Sequence, residues 1–180
     1  DGCKVHVAFL ADGVYSRSGR TGDLVQEKES RRAAAKAALD ILGVDSVSFD
    51  EFPDNRMDSV PTLEVAKVIE RLIDLYKPEI VFTHHHGDVN IDHRKVYEAT
   101  VVACRPQPNH SVKLILCYEV VSSTEWQLPL AGNSFSPDWF VDISVFLELK
   151  LQSLAQYEFE LRSWPHPRSI DGVRILANWR

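Results

Sequence analysis

Four histidines and two aspartates fall within the ten residues His84 to His93, in the stretch Thr83-His84-His85-His86-Gly87-Asp88-Val89-Asn90-Ile91-Asp92-His93. Imidazole nitrogen and carboxylate oxygen are the donors zinc prefers, and catalytic zinc sites combine three protein ligands with a water. The pair Asp92-His93 stands where a helix should begin. A histidine in a first helical turn is rigidly aimed, and a neighbouring carboxylate can fix its tautomer. Desolvating so many polar groups is costly, so an exposed cleft is expected rather than core. The spacing alone also fits a solvated polar loop that binds metal adventitiously.

The flanking segments say what must hold this stretch. Lys4 to Ala11 is a continuous apolar run and reads as a buried strand ending at Asp12-Gly13. Val14 to Gly22 is polar and reads as a loop. Asp23 can cap a helix running to Leu42, with Gly43 as its C-cap. Ser46 to Phe49 is a short strand, and Phe52 to Pro61 a loop. Leu63, Ala66, Ile69 and Ile73 recur at helical spacing between Thr62 and Tyr76, and Pro78 closes that helix. Glu79 to Thr83 is the strand that delivers the histidines, and Ile91 to Cys104 the helix that follows. Val112 to Val120 and Phe140 to Ile143 read as strands, Val145 to Arg162 as a long amphipathic helix, and Arg168 to Trp179 as a last helix. The alternation predicts an α/β fold, a Rossmann-like three-layer sandwich with a mainly parallel sheet. In such sheets ligands gather at the carboxyl ends of the strands. Asp12, the segment up to Asp54, and His84 all fall there.

Composition narrows the function class. The 180 residues suit one domain. A net charge of -6 argues against a nucleic-acid binder, which would carry a basic stripe. No apolar run reaches membrane-spanning length and no signal-peptide pattern is present. The three cysteines form no CxxC. Cys3 and Cys117 lie in or beside apolar runs and are expected to be buried thiols, in keeping with a reducing cytoplasm. Core packing is expected for Trp126 and Trp139, with stacking on a sugar as the alternative.

The segment Phe82 to Arg94 resembles the second metal motif of the LmbE/PIG-L family of zinc-dependent N-acetylglucosaminyl deacetylases, in the branch reading Thr-His-His-x-Gly-Asp-x-Asn-x-Asp-His-Arg. The resemblance continues through Lys4 to Gly13, Arg31 to Gly43, Pro53 to Asp58, Phe135 to Asp142 and Trp164 to Ser169. It implies that His93 is a ligand of Zn2+, or of another divalent transition metal, and that Asp92 orients or tunes a histidine beside it. Many family members carry a catalytic histidine where this chain has Asn90, which can donate a hydrogen bond but not a proton. The acid role then falls to His84 or His85, with His85 preferred because it lies deeper in the loop. The resemblance also implies substrate contacts for Arg31 and Asp54.

One part of the family pattern is missing. No Ala-His-Pro-Asp-Asp motif, the source of two ligands and the general base, occurs in these residues. The expectation is therefore a single LmbE-like domain, 1–180, truncated at both ends and inactive by itself. The implied reaction is hydrolysis of the N-acetyl group of an amino sugar or its nucleotide-, lipid- or glycan-linked conjugate. A homo-oligomer is compatible with it. The alternative is a non-catalytic α/β domain binding a sugar or nucleotide. A methyltransferase-like Rossmann domain ranks last, because Ala11-Asp12-Gly13-Val14 is a poor glycine-rich turn.

Overall fold

The computed structural model describes residues 2–14, 23–129 and 132–180. The loop expected over 14–22 lies, from residue 15 on, outside them. The chain forms two compact units, one of Asp1–Pro53 with Pro137–Arg180 and one of Asp54–Ser136. The fold is mixed α/β with short parallel strands, as the alternation of segments predicts.

In the first unit, β1 (His6–Ala11) pairs in parallel with β2 (Ser46–Phe52). The register runs from His6 opposite Ser46 to Phe9 opposite Phe49, whose rings stack at 5.2 Å. Between them lies α1 (Leu24–Leu42). The Asp23 carboxylate accepts the Val25 N–H at its start, and Gly43 takes the left-handed φ of 69° at its end. A side chain would be strained at that φ, and glycine is the usual solution. Ala35 and Ala38 are the buried residues of α1, small enough to admit a close neighbour. That neighbour is α4 (Leu147–Ala155), which in turn packs on α5 (Ile170–Trp179).

In the second unit, α2 (Thr62–Tyr76) precedes β3 (Ile80–His84), and α3 (Ile91–Ala103) separates β3 from β4 (Leu114–Tyr118). The two strands are parallel, with Ile80 opposite Leu114 and His84 opposite Tyr118. The core here is Met57, Val65, Ala66, Ile69, Ile73, Ala99 and Ala103, where α2 packs on α3. The seam of α2 is therefore Val65-Ala66-Ile69-Ile73; Leu63, expected on it, is 62% exposed.

Several expectations change. Phe140 to Ile143 is no strand, since it has no ladder partner. The helix expected over 145–162 begins as a 3-10 turn at Ser144–Phe146 and ends at Ala155. Beyond it Tyr157, Phe159 and Leu161 alternate with polar residues, a two-residue period that cannot keep to one helical face. Cys3 and Cys117 are exposed, and the buried cysteine is Cys104 on the C-terminal side of α3. Trp126 and Trp139 are 54% and 60% exposed, so neither is packed in a core.

Candidate active site

The histidine stretch folds as the turn between β3 and α3, and two locally encoded caps build it. The Asp88 carboxylate accepts the Asn90 N–H at 2.8 Å, an Asx turn. Asn90 is then the N-cap of α3, its side-chain oxygen accepting the Asp92 N–H at 2.8 Å. Arg94 donates to the carbonyl oxygens of Asp88 and Val89 at 2.7 and 2.9 Å and ties the turn to the helix. A Cβ on Gly87 would lie 2.2 Å from the Asn133 carbonyl oxygen, so only glycine fits this approach of two backbones.

Asp88 is fully buried and is the hub. The Ser123 hydroxyl and the Asn90 N–H bond to its Oδ1; the Thr124 hydroxyl bonds to Oδ2 at 2.7 Å, and His93 Nδ1 lies 3.1 Å from Oδ2. Burial alone would raise this carboxyl. The bonds from His93, Ser123, Thr124 and Asn90 together outweigh it and hold the group well below the usual carboxylate range. His93 is thus gripped at Nδ1, leaving Nε2 as the nitrogen available to a ligand.

His84, at the end of β3, stacks on His93 with ring centroids 4.1 Å apart and planes 16° apart. Its Nε2 meets the Tyr118 hydroxyl at 3.2 Å, while its buried Nδ1 has no partner among the described residues. Burial, with help from His93, pushes its pKa down to about 3, so His84 is a neutral imidazole. His85 and His86 turn away from this pair. His85 Nε2 is 2.9 Å from the Asn133 carbonyl oxygen and its ring meets Phe135 edge-on; His86 Nε2 is 2.7 Å from the Gly132 oxygen.

The Asp92 carboxylate points elsewhere too. It accepts the Asn55 N–H at 2.5 Å and the Met57 N–H at 2.9 Å, and so fastens the loop that carries Asp54. Burial raises its pKa, opposed by those two bonds. His84, Asp88 and His93 are therefore grouped, Asp92 joins them to the Asp54 loop, and His85 faces the 133–135 segment. Arg31 belongs to the other unit. There its guanidinium pairs with Glu160 at 2.5 Å, beside Gly13, and Glu160 also meets Arg168 at 3.3 Å. Asp12, Arg31, Arg32 and Tyr157 line a shallow cleft in that unit.

Ser123, Thr124 and Tyr118 join the site without being among the residues the sequence points to. Their signal is weak: two hydroxyl residues soon after a strand look like any turn, and only the fold brings them to Asp88.

Among the described residues no three His, Cys, Asp or Glu side chains form a metal cage. The chemistry of His93 nevertheless fits one ligand position, because a carboxylate holds one ring nitrogen and leaves the other.

A family model described as PIG-L, GlcNAc-PI de-N-acetylase, matches residues 1–104. The uncharacterized deacetylase YaiS of Escherichia coli (strain K12) is 31% identical over 156 residues, 77% of each chain. Among solved structures, the N,N'-diacetylchitobiose deacetylase of Pyrococcus horikoshii superposes with a TM-score of 0.70 at 17% identity, over 98% of this chain. GalB, the 4-carboxy-2-hydroxymuconate hydratase of Pseudomonas putida KT2440, does so with a TM-score of 0.63 at 21% identity, over 86% of this chain. The chain spans 64% and 66% of the lengths of those two proteins. Such distant likenesses show the fold, and a hydratase beside a deacetylase illustrates that a fold does not fix a reaction.

Proposed function

We propose, from the premise that this chain belongs to the PIG-L family of GlcNAc-PI de-N-acetylases, that it is part of a metal-dependent hydrolase removing the N-acetyl group from an amino sugar or its conjugate. The observation that carries the reading is His93, held at Nδ1 by a buried carboxylate at 3.1 Å with Nε2 left for a ligand. A bound zinc ion supplies Lewis-acid polarisation of the amide carbonyl and activation of water. His93 would provide one ligand. By the family resemblance, the others and the general base belong to an Ala-His-Pro-Asp-Asp motif that these 180 residues do not contain.

The chain's own residues then divide the remaining work. His84 stacks on His93 and is favoured over His85 as the histidine near the reacting amide. Being neutral, it serves as a hydrogen-bonding group. Asn90 spends its side-chain oxygen on the helix cap, which leaves its amide N–H groups for an oxyanion. Asp92 acts on the site through the 54–57 loop, and Asp54 on that loop is the candidate for gripping sugar hydroxyls. Arg31, oriented by Glu160, is the candidate second substrate contact.

The Rossmann-like three-layer sandwich and the cytoplasmic location belong to the same proposal. The first is supported by the parallel register of both strand pairs. No helix among the described residues is long and apolar enough to cross a membrane.

The test is acetate release from a panel of N-acetylated amino sugars by the intact protein, before and after chelation. Activity lost to a chelator and restored by zinc supports the reading. Sugar binding without hydrolysis at any metal loading would favour the non-catalytic binding domain instead.

A further inference from the structure

We propose that Asp88, clamped by the hydroxyls of Ser123 and Thr124, is a positioning residue that fixes His93 as its Nδ1–H tautomer and aims Nε2 at the metal. The inference rests on the deacetylase reading and deepens it by assigning three residues that neither motif nor resemblance gives a role at the metal.

The donor directions can be followed atom by atom. Thr124 Oγ1 accepts the Val120 N–H at 2.7 Å, so its one hydrogen is free to go to Asp88 Oδ2, 2.7 Å away. Ser123 Oγ and the Asn90 N–H donate to Oδ1. The carboxylate is therefore an acceptor on both oxygens, and a ring nitrogen 3.1 Å from Oδ2 bonds to it by donating. The proton sits on Nδ1, and Nε2 carries the lone pair a cation needs.

The clamp is itself held. Ser122 has a left-handed φ of 58°, and the Glu125 carboxylate accepts the N–H groups of Ser122 and Ser123 at 2.5 and 3.2 Å. Arg94 holds the Asp88 carbonyl from the other side. Asp88 after β3, His93 in α3 and Ser123-Thr124 after β4 thus meet at one fully buried carboxylate. A fold-only role needs no such convergence on one imidazole nitrogen.

The experiment begins with the metal-free intact protein, labelled with 15N-histidine, at pH 8. Long-range 15N–1H correlation should show His93 as the Nδ1–H tautomer. Asp88→Asn, which keeps the shape but offers the ring a single acceptor oxygen, should shift His93 toward Nε2–H. It should also weaken zinc binding, measured by chelator competition, about ten- to a hundredfold. Ser123→Ala with Thr124→Val should change both readouts in the same direction by a smaller factor. The deacetylase should lose kcat while KM for the sugar stays put. An Nε2–H tautomer in the wild type overturns the proposal, as does zinc affinity unchanged in a folded Asp88→Asn protein. If Asp88→Asn does not fold, the Ser123/Thr124 variant and the wild-type spectrum still decide. The tautomer is read without metal or substrate, so failure to hydrolyse N-acetyl sugars would sink the proposed function separately.

Discussion

Asp92 offers the sharpest test of how the site is held, because its carboxylate serves two backbone donors at once. Asp92→Ala strands the Asn55 and Met57 N–H groups, now bonded at 2.5 and 2.9 Å. A buried donor left unsatisfied costs about 1–3 kcal/mol. Met57 is wholly buried and water cannot reach its amide easily, so the upper part of that range applies there. Asn55 is exposed, and water recovers most of its share. The sum is about 3 kcal/mol, a large fraction of a domain's total stability. Asp92→Asn keeps one acceptor oxygen and should lose roughly half as much. Urea unfolding measures the loss, and hydrogen exchange at the Met57 amide localises it. An Asp92→Ala protein as stable as the wild type, with Met57 equally protected, would refute the reasoning.

Two further perturbations probe neighbouring contacts. Gly87→Ala drives a methyl to 2.2 Å from the Asn133 carbonyl oxygen, and the backbone there cannot yield cheaply. A loss of about 3 kcal/mol is expected, at the upper end for overpacking, with faster proteolysis in the 132–135 segment; wild-type stability would contradict the close approach. Cys104 is buried and its thiol is pushed up to about 11, so at pH 8 only about one part in a thousand is thiolate. Mass spectrometry after iodoacetamide treatment of the native protein should find Cys3 modified well before Cys104, and equal rates would show that α3 ends differently.

Much of the local structure was legible because its signals are local. Asp23 and Gly43 bracket α1 by side-chain capping and a left-handed turn. The helical spacing of Ala66, Ile69 and Ile73, closed by Pro78, marked α2, although Leu63 falls off its buried seam. Signals that depend on distant partners were not legible. Phe140 to Ile143 has strand-like composition, but strands need a neighbour's ladder. At the site, the start of α3 at Ile91 could be read, whereas its Asn90 cap and the surroundings of His84 and His85 could not. The proposed preference for His84 rests on contacts that only the fold supplies: its ring stacks on His93, whereas His85 Nε2 meets the Asn133 carbonyl oxygen. Ser123 and Thr124 reach Asp88 from 35 and 36 residues away, a contact that no spacing rule predicts.

The central claim is that His93 holds a metal that this hydrolase needs. Zinc content and acetate release should be measured side by side on the intact wild-type protein and on His93→Ala, with circular dichroism to confirm an unchanged fold. The account predicts that the variant loses both bound zinc and deacetylation. A folded His93→Ala protein that keeps its zinc and its turnover would contradict it.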